Sequence, residues 1–330
     1  MALPKGGTRV PGRLAAIHTV RHWTGWAVAG TALALLATSC ALPSPGPVID
    51  LSAKPQPSPP PSPSAPAKDR LVLAVAAVNS PTSTFEAYAE LTRYLGERLG
   101  MDAKFVGGKT YAEINSLVRS GDVAVAVVCS GAYVYGAQEF GMELLAAPVI
   151  NGQAVYYSYL IVHPDSPITG WRDLRGRTFA FTDPLSNSGR IVPLYQVRQL
   201  GETPESLFSR YIFTYSHENS ITAVAGKLVD AAAVDSLVYD YWVAQDSDVA
   251  ARTKVVWRSP PYAINPVVVS PNMEPALKAA LQARLLEMHE DEEGRRILAR
   301  LMFDRFVPID DSAYDSIRQM MRAVGMLGAP

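Results

Sequence analysis

DPLSNSGRIVP, residues 183–193, follows the apolar run TFAFT at residues 178–182, and its reading decides the fold. A short strand ending in Asp183-Pro184, two serines around an asparagine, a glycine and a second apolar run predict strand, loop and helix start. Such a loop presents hydroxyls and free backbone N–H groups together. The first N–H groups of a helix lack internal partners and the helix dipole is positive there. An anion is therefore favoured, with Ser186, Asn187 and Ser188 as its donors. The same residue types cap helices routinely, and taken alone the segment reads first as a cap.

The segments around this loop repeat its plan. Before it, VYYSYLIVH at 155–163 reads as one long strand, and 165–176 as a connector rather than a site. After it come a helix through Leu200, a short helix near 204–210 and a strand at 211–215. Ser216-His217-Glu218-Asn219-Ser220 then leads into a helix at 221–227, and a strand at 228–234 ends at Asp235-Ser236. His217 thus stands between strand and helix, where its ring can donate to an oxyanion or simply face solvent near a cap. Asp235 can accept a proton from a hydroxyl or from a protonated oxyanion, or cap the helix that follows it.

The earlier half alternates in the same way. Strands are expected at 71–78, 103–106 and 123–128, and helices at 85–99 and 111–119. Strands alternating with helices argue for parallel α/β sheets, whose ligands sit beyond the carboxyl ends of the strands. Three places then converge: residues 80–84, the Tyr111 region, and Cys129-Ser130-Gly131 after the third strand. Ser130 can donate to an anion, and Gly131 lets backbone approach closely. Cys129 is either a small buried hydrophobe or a ligand-contacting thiol.

Composition limits the classes of function. The chain has 330 residues, 48% of them hydrophobic, with 30 Lys+Arg against 31 Asp+Glu and a net charge of −1. That suffices for a large core and leaves no basic excess for nucleic acid. Lys5, Arg9, Arg13, Arg21 and His22 precede an apolar run at 26–37, which reads as a signal peptide rather than a bilayer span. Ala37-Thr38-Ser39-Cys40 resembles a bacterial lipobox, with Ala37 where leucine is usual, so Cys40 is the expected lipidation site. An ordinary signal peptide or a short membrane anchor, with Cys40 incidental, is the alternative. The Pro- and Ser-rich stretch after Cys40, with PSPPPSPSAP at 57–66, predicts a semi-rigid tether. With two cysteines in the chain and Cys40 lipidated, Cys129 has no disulfide partner.

Together, the DPLSNSGRIVP segment, SHENSITAVAGKLVDAAAVDS at 216–236, VVWRSPPYAINPVVVS at 255–270 and Tyr111-Ala112-Glu113 resemble the substrate-binding proteins of bacterial phosphate, phosphite and phosphonate ABC transporters. The likeness runs from about residue 71 to about residue 314. It implies an α/β, two-lobed periplasmic-binding-protein-like type II fold with a ligand cleft between the lobes. The implied parts are a signal peptide (1–39), the tether (40–68), lobe 1 (69–155), lobe 2 (156–258) and the rest of lobe 1 with C-terminal helices (259–330). The hydroxyl loop of the family falls on Ser186, Asn187 and Ser188, where the middle residue is often threonine. Its oxyanion-contacting histidine falls on His217, an acidic or amide position on Asp235, and a cleft tyrosine on Tyr111. A second cleft tyrosine of some phosphonate binders falls on Cys129, so that contact is missing here. Glu292, Glu293, Arg295 and Arg296 read as a solvated face.

No G-x-S-x-G elbow, Walker loop or zinc-type His/Cys spacing is present. The expectation is a non-catalytic receptor without cofactor or metal, exported and lipid-anchored to the outer face of a bacterial membrane, at the cell surface or in the periplasm. Its partners are a small oxyanion and an ABC permease with its ATPase. The alternative is a sensory lipoprotein for another oxyanion, such as arsenite through Cys129, or for a small organic molecule, signalling to a membrane kinase.

Overall fold

In the computed structural model, residues 70–76, 82–245 and 247–328 are described. The expected signal peptide, Cys40, the tether and residues 77–81 lie outside them. Strand β1 (Arg70–Ala76) is apolar from Leu71 onward and buried from Leu73 to Ala76, as a central strand covered on both faces must be. Helix α1 (Thr82–Leu99) covers one face through Ala87, Leu91 and Leu95. β2 (Asp102–Gly108), α2 (Tyr111–Ser120), β3 (Val125–Val127), α3 (Ser130–Phe140) and β4 (Glu143–Val149) continue the alternation.

The long strand expected at 155–163 is two strands. β5 (Val155–Tyr156) and β6 (Ser158–Val162) are separated at Tyr157, because the chain changes lobe there. β5 pairs antiparallel with β11 (Tyr262–Ala263), and this two-stranded ribbon joins the halves of the molecule. Tyr157 and Ser236 exchange hydrogen bonds (Tyr157 N to Ser236 Oγ at 3.0 Å, Ser236 N to Tyr157 O at 3.0 Å), and the Arg258 guanidinium lies over the Tyr157 ring at 3.4 Å.

Lobe 2 runs through β7 (Thr178–Phe181), α4 (Val192–Gln199), α5 (Pro204–Leu207), β8 (Arg210–Phe213), α6 (His217–Ala225), β9 (Ala231–Asp235), α7 (Ser236–Gln245), α8 (Ser247–Arg252) and β10 (Lys254–Arg258). Its sheet is ordered β10-β6-β9-β7-β8, with β9 parallel to β7 and fully buried. Phe179 stacks on Phe208 with ring centroids 4.6 Å apart, and Phe181, Trp171 and Leu160 complete that core.

The chain returns to lobe 1 as β12 (Val267–Val269), followed by α9 (Pro275–Glu287), α10 (Glu292–Leu301), β13 (Arg305–Val307) and α11 (Asp315–Ala323). The order in that sheet is β13-β4-β12-β3-β1-β2. Both sheets are mixed rather than wholly parallel. β12 inserts antiparallel between β3 and β4, because a chain coming back through β11 enters the sheet from the opposite end. α10 turns Ile297, Leu298 and Leu301 inward. Of its expected solvated face, Glu293 pairs with Arg93 at 2.9 Å and Arg296 with Glu90 at 3.0 Å on α1. Exposed pairs of this kind each contribute little.

The lobes touch. Leu185, Ile191 and Val192 of lobe 2 share one buried cluster with Ala132, Ile317 and Met320 of lobe 1. Gly131 is what permits the approach: a Cβ there would lie 2.4 Å from the Leu185 carbonyl oxygen.

Candidate functional site

The loop after β7 is shaped by its own backbone. Ser186 O accepts from Ile191 N at 2.9 Å as well as from Arg190 N at 3.1 Å, so residues 187–191 form a single π-helical turn ahead of α4. Turns of this kind recur at functional sites. Ser186 Oγ accepts the Gly189 N–H at 3.0 Å, which is the capping role. Gly189 is required because a Cβ would sit 2.0 Å from Thr182 Oγ1. Asp183 accepts from Leu185 N at 2.8 Å and, across the lobes, from Tyr111 N at 3.3 Å. Burial pushes its carboxyl up from the usual range.

The second wall is His217, first residue of α6 and fully buried. Its Nδ1 accepts the Asp235 backbone N–H at 3.1 Å. A peptide N–H can only donate, so Nδ1 carries the lone pair and the neutral ring keeps its hydrogen on Nε2. Nε2 has no hydrogen-bond partner among the described residues. Desolvation lowers the imidazole pKa to about 3, which holds the ring neutral across the physiological range. Asp235 accepts from Leu237 N at 2.8 Å, so the capping role is also filled, while burial raises its carboxyl to about 7.

Lobe 1 supplies the opposing wall. Ser130 N, at the start of α3, donates to Asn265 Oδ1 at 3.2 Å, and the Asn265 side chain also hydrogen-bonds Asp235. Ser130 Oγ and Tyr156 OH are 2.6 Å apart, and Asn187 Nδ2 donates to the same phenol oxygen at 3.0 Å. Tyr111 is buried at the start of α2, and its phenol pKa is raised well above 10 by burial, with Cys129, Asp183, Asp235 and Tyr156 adding to the effect. All of those groups belong to this site.

The eight sequence-predicted ligand-binding residues are therefore brought together, in unequal roles. Ser186 spends its oxygen on the loop. Asn187 is held at both ends: its side-chain nitrogen by Tyr156, its backbone N–H by Cys129 Sγ at 3.3 Å. Cys129 is buried, and desolvation raises its thiol, so it remains a thiol that accepts a hydrogen bond. Of the eight, three contribute a buried side-chain atom without a hydrogen-bond partner among the described residues: Ser188 Oγ, Asn187 Oδ1 and His217 Nε2. Two are donors and one an acceptor, the set that a partly protonated oxyanion satisfies. Sequence reasoning missed Tyr156 and Asn265. The first is hidden in an apolar run; the second lies 135 residues from the Ser130 it binds. Among the described residues no cluster of His, Cys, Asp and Glu is arranged to hold a metal ion.

Two predictions arise here. Ser158 Oγ donates to Ser188 O at 2.7 Å, tying β6 to the loop. Ser158→Ala is expected to lower the unfolding free energy by about 1 kcal/mol in denaturant titration; an unchanged midpoint would show that the carbonyl finds another donor. The second concerns pH. Asp235, raised to about 7, contributes stability that is complete below the unfolded carboxylate range and lost as pH rises through 7. His217, depressed to about 3, contributes in the opposite sense: its stability is present above the unfolded imidazole range and lost as pH falls toward 3. The Asp235→Asn protein removes the first contribution alone. Its stability relative to the native protein is expected to rise by about 1.4 kcal/mol per pH unit between roughly pH 4 and pH 7. A constant difference across that window would contradict the buried, proton-binding carboxyl.

Against known proteins, residues 73–314 match the family model described as the periplasmic substrate-binding protein of phosphonate ABC transporters. The "Phosphonates-binding periplasmic protein" of Escherichia coli is 31% identical over 174 residues, which span 52% of this chain and 51% of that protein. The "Phosphate-import protein PhnD" of Mycolicibacterium smegmatis is 26% identical over 278 residues, covering 78% of this chain and 86% of the relative. A crystal structure of a binding-protein component of a phosphonate ABC transporter from Pseudomonas aeruginosa superposes with a TM-score of 0.72 at 25% identity, over 78% of this chain and 86% of that one. The two-lobed periplasmic-binding-protein architecture is common to both.

Proposed function

Since the chain belongs to the family of periplasmic substrate-binding proteins of phosphonate ABC transporters, we propose that it is an extracytoplasmic lipoprotein, anchored through Cys40, that binds a small phosphorus oxyanion for uptake. Phosphonate, phosphite and phosphate are the candidate cargoes, and an ABC permease with its ATPase is the partner. The observation that carries the reading is the Nε2–H of a fully buried, neutral His217, which has no partner among the described residues. An unpaired buried donor is destabilising on its own, and an anionic oxygen placed against it reverses that penalty. Ser188 Oγ supplies a second donor and Asn187 Oδ1 an acceptor.

In this reading Ser130, Asn187, Ser188, His217 and Tyr111 surround the oxyanion, and Ser186 shapes the loop. Asp235 selects for a proton. A monoprotonated oxyanion donates its P–OH hydrogen to the carboxylate, whereas a dianion is tolerated only if Asp235 itself is protonated. Either way the complex contains one shared proton; sulfate brings none near neutral pH, so it enters only while Asp235 is protonated and is rejected above about pH 7. Cys129 contributes shape rather than a thiolate, since burial holds it protonated. The arsenite alternative would need that thiolate.

Isothermal titration of the purified protein with phosphate, phosphite, methylphosphonate, aminoethylphosphonate, arsenite and sulfate tests this. The expected result is saturable one-to-one binding of a phosphorus oxyanion and, above about pH 7, no binding of sulfate. Silence toward every phosphorus compound would overturn the proposal. With Asp235 titrating at about 7, binding must take up a proton once both Asp235 and the free oxyanion have lost theirs. Affinity is therefore expected to fall by about tenfold per pH unit above both ionisations. Asp235→Asn should flatten that limb, and a slope that survives the substitution would remove Asp235 from the role.

A further inference from the structure

Asp183 is not among the residues that surround the oxyanion, yet it lies beside them and is only 1% exposed. A carboxylate there repels an anionic cargo, so its presence needs another cause. Its two oxygens are divided between the lobes. Oδ1 accepts Leu185 N at 2.8 Å within its own loop, and Oδ2 accepts Tyr111 N at 3.3 Å from the opposite lobe. Tyr111 is the first residue of α2, where backbone N–H groups lack intrahelical partners. The local caps serve other donors: Thr110 Oγ1 accepts Glu113 N at 3.1 Å, and the Glu113 carboxylate accepts Lys109 N at 2.7 Å. The Tyr111 N–H is left to Asp183, and the positive end of the α2 dipole favours a negative charge at that spot.

We propose that Asp183 is a positioning residue for capture: it clasps the start of α2 across the lobes and so tightens binding without touching the cargo. The inference rests on the oxyanion reading given above. Each carboxyl oxygen accepts from a peptide N–H, an arrangement that suits the ionised form, and the Arg190 guanidinium favours that form as well. When the lobes part, Oδ2 and the Tyr111 N–H exchange each other for water, while the bond to Leu185 stays within the loop. The contact therefore favours closure, whichever oxyanion is bound. Two opposed expectations follow for Asp183→Asn. Removing a nearby negative charge would by itself tighten the binding of an anion. Losing the clasp weakens it. Asparagine keeps one oxygen for Leu185 N, in a turn that it makes as aspartate does. Its NH2 then faces the Tyr111 N–H, donor against donor.

Calorimetry of the full chain with phosphate, phosphite and methylphosphonate, together with hydrogen exchange of the Tyr111 amide followed by NMR, tests this. Asp183→Asn is expected to speed exchange at Tyr111 and to weaken every oxyanion that binds by the same factor, about tenfold. A second pair of variants decides the matter if Asp183→Asn does not fold. Tyr111→Ala and Tyr111→Pro both lose the phenol, but only proline loses the N–H. Proline suits the first helical position, and Thr110 before it is already extended (φ −133°, ψ 160°). The proline protein is expected to bind about tenfold more weakly than the alanine protein. Asp183→Asn should then cost nothing further in the proline background and its full factor in the alanine background. Binding that is unchanged or tighter in Asp183→Asn, unchanged exchange at Tyr111, or equal affinity of the alanine and proline proteins would overturn this inference while leaving the oxyanion reading intact. Failure of every phosphorus compound to bind the native protein would overturn both.

Discussion

His217→Ala is expected to weaken binding of the phosphorus oxyanion by about 10²- to 10³-fold. The ring is fully buried, and its protonation pattern is set from one side by the Asp235 peptide N–H on Nδ1 at 3.1 Å. The Nε2–H is therefore a fixed donor rather than one that must first be oriented. Truncation leaves an anionic oxygen in a dry site without its partner, a loss of about 2–5 kcal/mol for a buried hydrogen-bonded charge. A neutral glutamine that can still donate should recover part of the loss, because the ring it replaces carries no charge near neutral pH. Calorimetry on the native, alanine and glutamine proteins checks this, and an alanine variant of native affinity would place the anion elsewhere.

Gly131→Ala is the second large effect, and it acts without touching the donors. The added methyl would meet Leu185 O at 2.4 Å, Ile191 Cδ1 at 2.6 Å and Asn187 N at 3.0 Å, all from the opposite lobe. Two of those are backbone atoms, which cannot rotate away. The lobes would then close incompletely, at an overpacking cost of about 1–3 kcal/mol. Affinity should fall about 10- to 100-fold while the separate lobes stay folded. Calorimetry reads the loss, and circular dichroism confirms that secondary structure is kept. Unchanged affinity would mean that the contact of α3 with the 183–191 loop is not part of the bound form.

The strand-to-helix junctions were legible in the sequence because they are local. The loop at 183–193, Ser130 after β3, His217 at the start of α6 and Asp235 at the end of β9 all follow apolar runs bounded by polar and cap-forming residues. What the sequence withheld is tertiary. The apolar run at 155–163 carries no mark of the break at Tyr157, since both halves are equally fit for strands and the division comes from pairing with different partners. Tyr156 becomes a site residue through that same division: its ring is buried in the cluster shared by the two lobes while its hydroxyl meets Asn187 of lobe 2. The antiparallel entry of β12 depends on the return path of the chain. The π-helical turn depends on Gly189 fitting against Thr182. Cys129 stayed ambiguous because the choice between packing and contact turns on Asn187, 58 residues away.

The central claim is that a buried, neutral His217 presents Nε2–H to a phosphorus oxyanion. Nitrogen-15 NMR of histidine-labelled protein, recorded from pH 5 to pH 8 with and without a bound phosphonate, tests it most directly. The account predicts a ring that stays in the Nε2–H form throughout and an Nε2–H proton that moves downfield when the phosphonate binds. A His217 that titrates in the ordinary imidazole range, or an Nε2–H signal indifferent to a saturating ligand, would contradict it.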